Sequence, residues 1–86
     1  MPEPREQDAL ARARALGVLR DAAVGDRLVV RARDGDGALD ALGTLSVRSA
    51  TAVTIDTRRG PVEVALADVV AAKRVPPPPA PRARRR

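Results

Sequence analysis

The 86 residues include no Phe, Trp or Tyr, no Cys and no His. Each zero removes a class of chemistry. Without Cys or His there is no zinc finger, no iron–sulfur site, no Cys- or His-dependent nucleophile and no imidazole acid–base catalyst. Without aromatic rings there is no base-stacking platform, no cage for methylated lysine and no aromatic groove for Pro-rich peptides. Disulfide staples are excluded, which argues against a small secreted scaffold. No apolar run reaches the length of a signal-peptide core or of a membrane span. These absences predict a cytoplasmic, non-enzymatic chain without a cofactor or a bound metal.

Charge is present but unevenly placed. The chain has 16 Lys+Arg against 11 Asp+Glu, a net charge of +5. Residues 1–24 carry four Arg and four acids and sum to zero. Residues 25–75 carry eight bases and seven acids, a net +1. Residues 76–86 carry Arg82, Arg84, Arg85 and Arg86 and no acid, a net +4. The basic balance is therefore mostly a property of the end of the sequence. Fifteen of the 16 bases are Arg, and Ala is abundant while Asn is absent. That bias also fits a GC-rich genome, so Arg content alone is weak evidence for phosphate binding.

Three segments separate by composition. Residues 1–24 are rich in Ala, Arg and Glu and predict an α-helix. Pro4 suits a first turn, and Glu6 and Asp8 sit where the helix dipole favours acids. Leu10, Leu16 and Leu19 do not share one tight face, and Gly17 weakens the middle, so the helix needs something to pack on. It is neutral and lacks bulky interfacial side chains, which argues against a membrane-surface anchor.

Residues 25–75 alternate with period two, the pattern of half-buried strands. The first strand spans about 26–33, with Leu28, Val30 and Ala32 on one face and Arg27, Val29, Arg31 and Arg33 on the other. Asp34-Gly35-Asp36-Gly37 marks a turn within a longer loop. A second strand covers about 40–48 with Leu45 and Val47 inward, and Gly43 predicts a bulge or sharp bend. A third covers about 51–58 with Val53 and Ile55 inward. Arg59-Gly60 turns the chain into a fourth strand at about 62–66, with Val62, Val64 and Leu66 inward. A short 3₁₀ turn at 67–69, capped by Asp68, leads to a fifth strand at 70–75. Five short strands in about fifty residues predict a small SH3-like β-barrel preceded by an α-helix. The helix would cover an open face, and the domain would be only marginally stable.

Residues 76–86 open with Pro76 to Pro79. This reads as a stiff, extended spacer and a disordered basic tail. The tail is also a candidate contact for nucleic acid or an acidic surface, and its prolines are a candidate ligand for a Pro-binding groove.

Gly25-Asp26-Arg27-Leu28-Val29-Val30-Arg31 and Asp40-Ala41-Leu42-Gly43-Thr44-Leu45 begin a longer pattern. It continues through Val53-Thr54-Ile55, Thr57-Arg58-Arg59-Gly60-Pro61-Val62-Glu63-Val64 and Asp68-Val69-Val70-Ala71-Ala72-Lys73-Arg74-Val75-Pro76-Pro77. This stretch resembles the SH3-like domain found N-terminal to the catalytic domain of actinobacterial GNAT-family N-acetyltransferases. The likeness runs over 55 of the 86 residues, from Gly25 to Pro79. Its most telling part is the exit from Asp68 into the prolines, which in that family leads to the acetyltransferase domain. Here seven residues follow Pro79, and no acetyl-CoA-binding domain is among them. The resemblance therefore implies an accessory module and transfers no catalytic residue.

The candidate sites follow from these segments. Asp34-Gly35-Asp36-Gly37 has the start of a calcium loop, but the twelfth position is Leu45 where Glu is needed, so a turn is expected. Asp40, Asp56, Glu63 and Asp68 are too few, in too small a barrel, to build a hydrolytic carboxylate pair in a cleft. The expected interaction surface is basic: Arg27, Arg31, Arg33, Lys73 and Arg74 on paired strands, Arg58 and Arg59 at a hairpin tip, and Arg82, Arg84, Arg85 and Arg86 in the tail. The leading expectation is a non-catalytic protein-interaction module, its partner an acetyltransferase or a second copy of itself. The alternatives are a weak, sequence-indifferent nucleic-acid binder and a fragment of a truncated acetyltransferase.

Overall fold

A computed structural model describes residues 4–76. The expectations placed on Arg82, Arg84, Arg85, Arg86 and the end of the proline run lie outside the described residues. An 18-residue helix α1 (Pro4–Asp21) precedes five strands. These are β1 (Arg27–Asp34), β2 (Gly37–Arg48), β3 (Ala52–Thr57), β4 (Gly60–Ala65) and β5 (Val69–Arg74), with a 3₁₀ turn at Leu66–Asp68 between the last two. Every ladder is antiparallel, in the order β4-β3-β2-β1-β5. β4 and β5 are the two edges, so the sheet is open; hydrogen bonds do not close it into a barrel. Among the described residues no helix is long and apolar enough to cross a membrane.

The alternation read from β1 holds. Leu28, Val30 and Ala32 are buried, and Arg27, Arg31 and Arg33 are exposed. Val53 and Ile55 of β3 and Val64 of β4 complete the inner face with Leu45 of β2 and Val69 of β5. The loop expected after β1 is shorter than its sequence suggested. Ala38 and Leu39 pair with Arg33 and Ala32, so β2 begins at Gly37 and only Gly35 and Asp36 form the tip. Gly35 supplies the positive φ, 60°, that such a tight tip needs.

Two corrections concern β2. The predicted irregularity at Gly43 is a close approach. Gly43 pairs in register with both Leu28 and Thr57, and a Cβ there would run into the Asp56 carbonyl. The register shift itself lies between Leu45 and Val47, where Ser46 is the extra residue. A bulge breaks the alternation and re-aims the side chains beyond it. Val47 therefore pairs with outward Thr54 and is exposed, against the expectation that it faces inward. Arg48 pairs with buried Val53, which puts it on the core side of the sheet.

The helix buries a stripe that Leu positions alone do not reveal. Ala15, Leu19 and Ala22 are fully buried, with Leu16 and Val18 packed beside them, while Leu10 stays exposed. Ala15, Leu19 and Ala22 recur at helical spacing, and the two alanines let the helix backbone approach the sheet closely. α1 lies mainly against β5 and shares the core with the strands. Asp68 does not cap the 3₁₀ turn: it lies inside the turn, and Ala65 occupies the cap position with no side-chain hydrogen bond. The turn starts at Leu66 rather than Ala67: the Val69 N–H donates to the Leu66 carbonyl and closes a turn over Leu66–Asp68.

Candidate functional site

The basic residues predicted on β1 and β5 do not form one patch. Val29 pairs with Lys73 and Arg31 with Ala71, so Lys73 shares the outer face with Arg27, Arg31 and Arg33. Leu28 pairs with Arg74, which sends Arg74 to the opposite face. There its Nη2 donates to the Asp21 carbonyl at 3.3 Å and lies 3.8 Å from Asp26 Oδ2. On the outer face Arg31 is already engaged. Its Nε and Nη2 donate to the two carboxylate oxygens of Asp40 across the ladder, at 2.9 and 3.0 Å. Hydrogen bonding by Arg31 holds the Asp40 carboxyl below the ordinary aspartate range. The same hydrogen bond, reinforced by the charge of Asp40, raises the Arg31 guanidinium above its ordinary value. Arg27, Arg33 and Lys73 form no ion pair among the described residues. Arg58 and Arg59 are exposed at the β3–β4 tip, which is fixed by Thr57 Oγ1 donating to the Gly60 carbonyl at 2.7 Å and accepting the Arg59 N–H. Outer face and tip thus present solvated charge with a carboxylate among it.

A different basic site lies on the core side, where α1, the β2–β3 turn and the 3₁₀ turn meet. They enclose an open groove of about 810 Å³. Leu19 and Val53 form its floor and the partly buried Leu16 and Leu66 its walls. Arg12, Arg20 and Arg48 stand around it, and its lining contains no Asp or Glu. Three guanidiniums thus surround an apolar floor whose lining has no carboxylate, with Asp21 beside Arg20 just outside it.

The chain builds this groove by using arginines as brackets. The last four carbonyls of a helix lack intrahelical donors and carry the negative end of its dipole. Arg48 Nη1 meets two of them, donating to the Leu19 and Ala22 carbonyls. Arg12 Nη1 reaches from α1 to the 3₁₀ turn and donates to the carbonyls of Leu66, Ala67 and Val69 at 3.1, 3.3 and 2.8 Å. A guanidinium offers five N–H donors in a rigid fork. Both brackets use a single nitrogen, and their Nε and Nη2 have no hydrogen-bond partner among the described residues. Arg20 is held less firmly, with its Nε 3.4 Å from Asp21 Oδ1 and both side chains exposed. At the far rim Ser49 Oγ accepts the N–H groups of Thr51 and Ala52, which fixes the turn.

Compared with models of protein families, with curated proteins and with solved structures, the chain finds no match. Guanidiniums stay protonated at neutral pH, so they hold anions and do not exchange protons with them. The groove suits recognition of a group that is apolar on one side and anionic on the other.

Sequence reasoning missed all three groove arginines. Arg12 did leave a signal, because it precedes Ala15, Leu19 and Ala22 on the same helical stripe. Arg48 left none. Its direction depends on the Ser46 bulge, and neither Ser46 nor its neighbours mark a bulge.

Proposed function

We propose that this chain is a non-catalytic interaction module of the SH3-like kind, related to the domain that accompanies GNAT acetyltransferases, and that it works by holding a segment of another protein. The succession of elements supports the SH3-like part of the reading. Four strands form a meander, a single 3₁₀ turn follows, and β5 returns to pair with β1. The observation that carries the functional part is the groove. A preformed apolar floor with convergent fixed charges is the usual form of a binding site. Here the charges belong to arginines, which favour contact over chemistry.

The test is capture from cells with a photo-crosslinking residue placed at Ala50 on the groove rim, read against Arg20→Glu carrying the same crosslinker. The reading expects a discrete protein adduct with the first protein and its loss with the second. Equal capture by both, or recovery of nucleic acid in place of protein, overturns it.

A further inference from the structure

The groove also specifies the chemistry of what it holds. We propose that its occupant is an acidic amphipathic segment of a partner protein, with apolar side chains on Leu16 and Leu66 and carboxylates at Arg20 and Arg48. This rests on the interaction-module reading above and adds the identity of the ligand class.

Charge complementarity selects this occupant. The lining brings together Arg12, Arg20 and Arg48 with no acid; only Arg20 has a carboxylate nearby, Asp21, so a neutral apolar segment would leave the free N–H groups of Arg12 and Arg48 without an acceptor. An apolar contact must shield those guanidiniums from water, and a carboxylate that accepts from their free N–H groups offsets that desolvation. The same charge rejects this chain's own C-terminal residues, in which Arg82, Arg84, Arg85 and Arg86 stand without an acid. A bare phosphate or nucleic-acid backbone would satisfy the arginines but leave the apolar walls uncovered. A segment with both characters matches both halves of the site. The groove's volume of about 810 Å³ admits several side chains, as expected where a short helix or extended stretch lays one face into a depression.

Arg20 is the discriminating position. Arg12 and Arg48 bracket the helix, so changing them also changes the fold. Arg20 is exposed, and its one hydrogen-bond partner among the described residues is Asp21. Ala50 lies on the opposite rim and is exposed.

The experiment uses the full chain and three labelled synthetic peptides with Leu at one helical face. Their other face carries Glu, Gln or Lys. Binding is read by fluorescence anisotropy at low salt, and the site by amide chemical shifts. The Glu peptide is expected to bind and to move the amides of Leu16, Arg20, Ala50, Thr51 and Leu66. The Gln peptide is expected to bind about tenfold or more weakly, and the Lys peptide not to bind. Arg20→Glu and Ala50→Glu are each expected to weaken the Glu peptide about tenfold while the thermal transition stays in place. Equal binding of Glu and Gln peptides, shifts confined to the β1–β5 outer face, or unchanged affinity in both variants overturns the proposal. So does absence of binding by every peptide, or a concentration-dependent self-association that Ala50→Glu abolishes, which would make a second copy the occupant. If crosslinked capture at Ala50 succeeds while the acidic peptide fails, the ligand class is wrong and the interaction-module reading stands.

Discussion

At the scale of single residues, Gly43 and the Arg31–Asp40 pair show two different constraints. Gly43 has no room for a side chain because the backbone of β3 lies against it at Asp56 and Thr57. Backbone cannot step aside as a flexible side chain can. Gly43→Ala is expected to cost about 3 kcal/mol, the upper end for overpacking, measured as a lower midpoint in urea unfolding. The Arg31–Asp40 pair is half-exposed on both sides, so its contribution is small. Its sign is nevertheless defined. The folded state holds Asp40 below the ordinary aspartate value, so the stabilisation is present above that value. It is lost as pH falls through the depressed one. Arg31→Gln is expected to return the Asp40 carboxyl to the ordinary range in an NMR titration and to remove this part of the acid limb. An unchanged Asp40 titration would show that the pair does not persist in solution.

At the scale of elements, α1 depends on its contacts more than on its own propensity. Its apolar face is narrow, and one Leu carries most of the buried bulk: Leu19 is 1% exposed. Leu19→Ala is expected to destabilise the protein by about 2–4 kcal/mol through lost transfer energy and a residual cavity. The amide exchange of α1 would accelerate first. The two arginine brackets act on the same element. Arg48→Ala leaves the Leu19 and Ala22 carbonyls without their side-chain donor, at an expected cost of about 1–2 kcal/mol. Arg48→Lys should recover only part of this: its ammonium can donate to both carbonyls, but it sits on a more flexible stem and is more strongly hydrated than a guanidinium. Chemical denaturation of the three proteins decides the order; full recovery by Lys would show that any donor at this position suffices, and equal loss in the Lys and Ala variants would show that an ammonium does not reach the two carbonyls.

At the scale of the whole molecule, helix and sheet share one core. Ala15, Leu19 and Ala22 belong to the same buried cluster as Leu28, Leu45 and Ile55. With no separate cluster for α1, unfolding is expected to be a single cooperative transition. The helical circular dichroism signal and the exchange of β3 amides should give the same midpoint. An earlier midpoint for the helix would mark it as a detachable unit, and the groove, one wall of which is α1, would then open with it. The open edges of the sheet place a second demand on the molecule. β4 limits its own pairing with Pro61 at its start and with exposed Glu63, two features that discourage edge-to-edge contact.

The sequence alone determined the class of the fold and most of its inner face. Alternation in Arg27–Arg33 and Ala52–Thr57 left one favoured orientation for those strands, since a one-residue slip would expose Leu28, Val30, Val53 and Ile55 and bury Arg31 and Asp56. The Asp-Gly and Arg-Gly steps located the hairpins, because few other residues tolerate such turns. The zeros in His, Cys and aromatics narrowed the chemistry before any coordinate was known. Tertiary structure alone decided where Arg48 and Arg74 point. The Ser46 bulge turned Arg48 inward and Val47 outward, and the β1–β5 register separated Lys73 from Arg74. Period-two patterns carry no record of an extra residue or of an inter-strand register. The basic surface expected on one strand face is therefore a solvated, mixed-charge face without Arg74, and the guanidinium-rimmed groove on the core side is built from three other arginines.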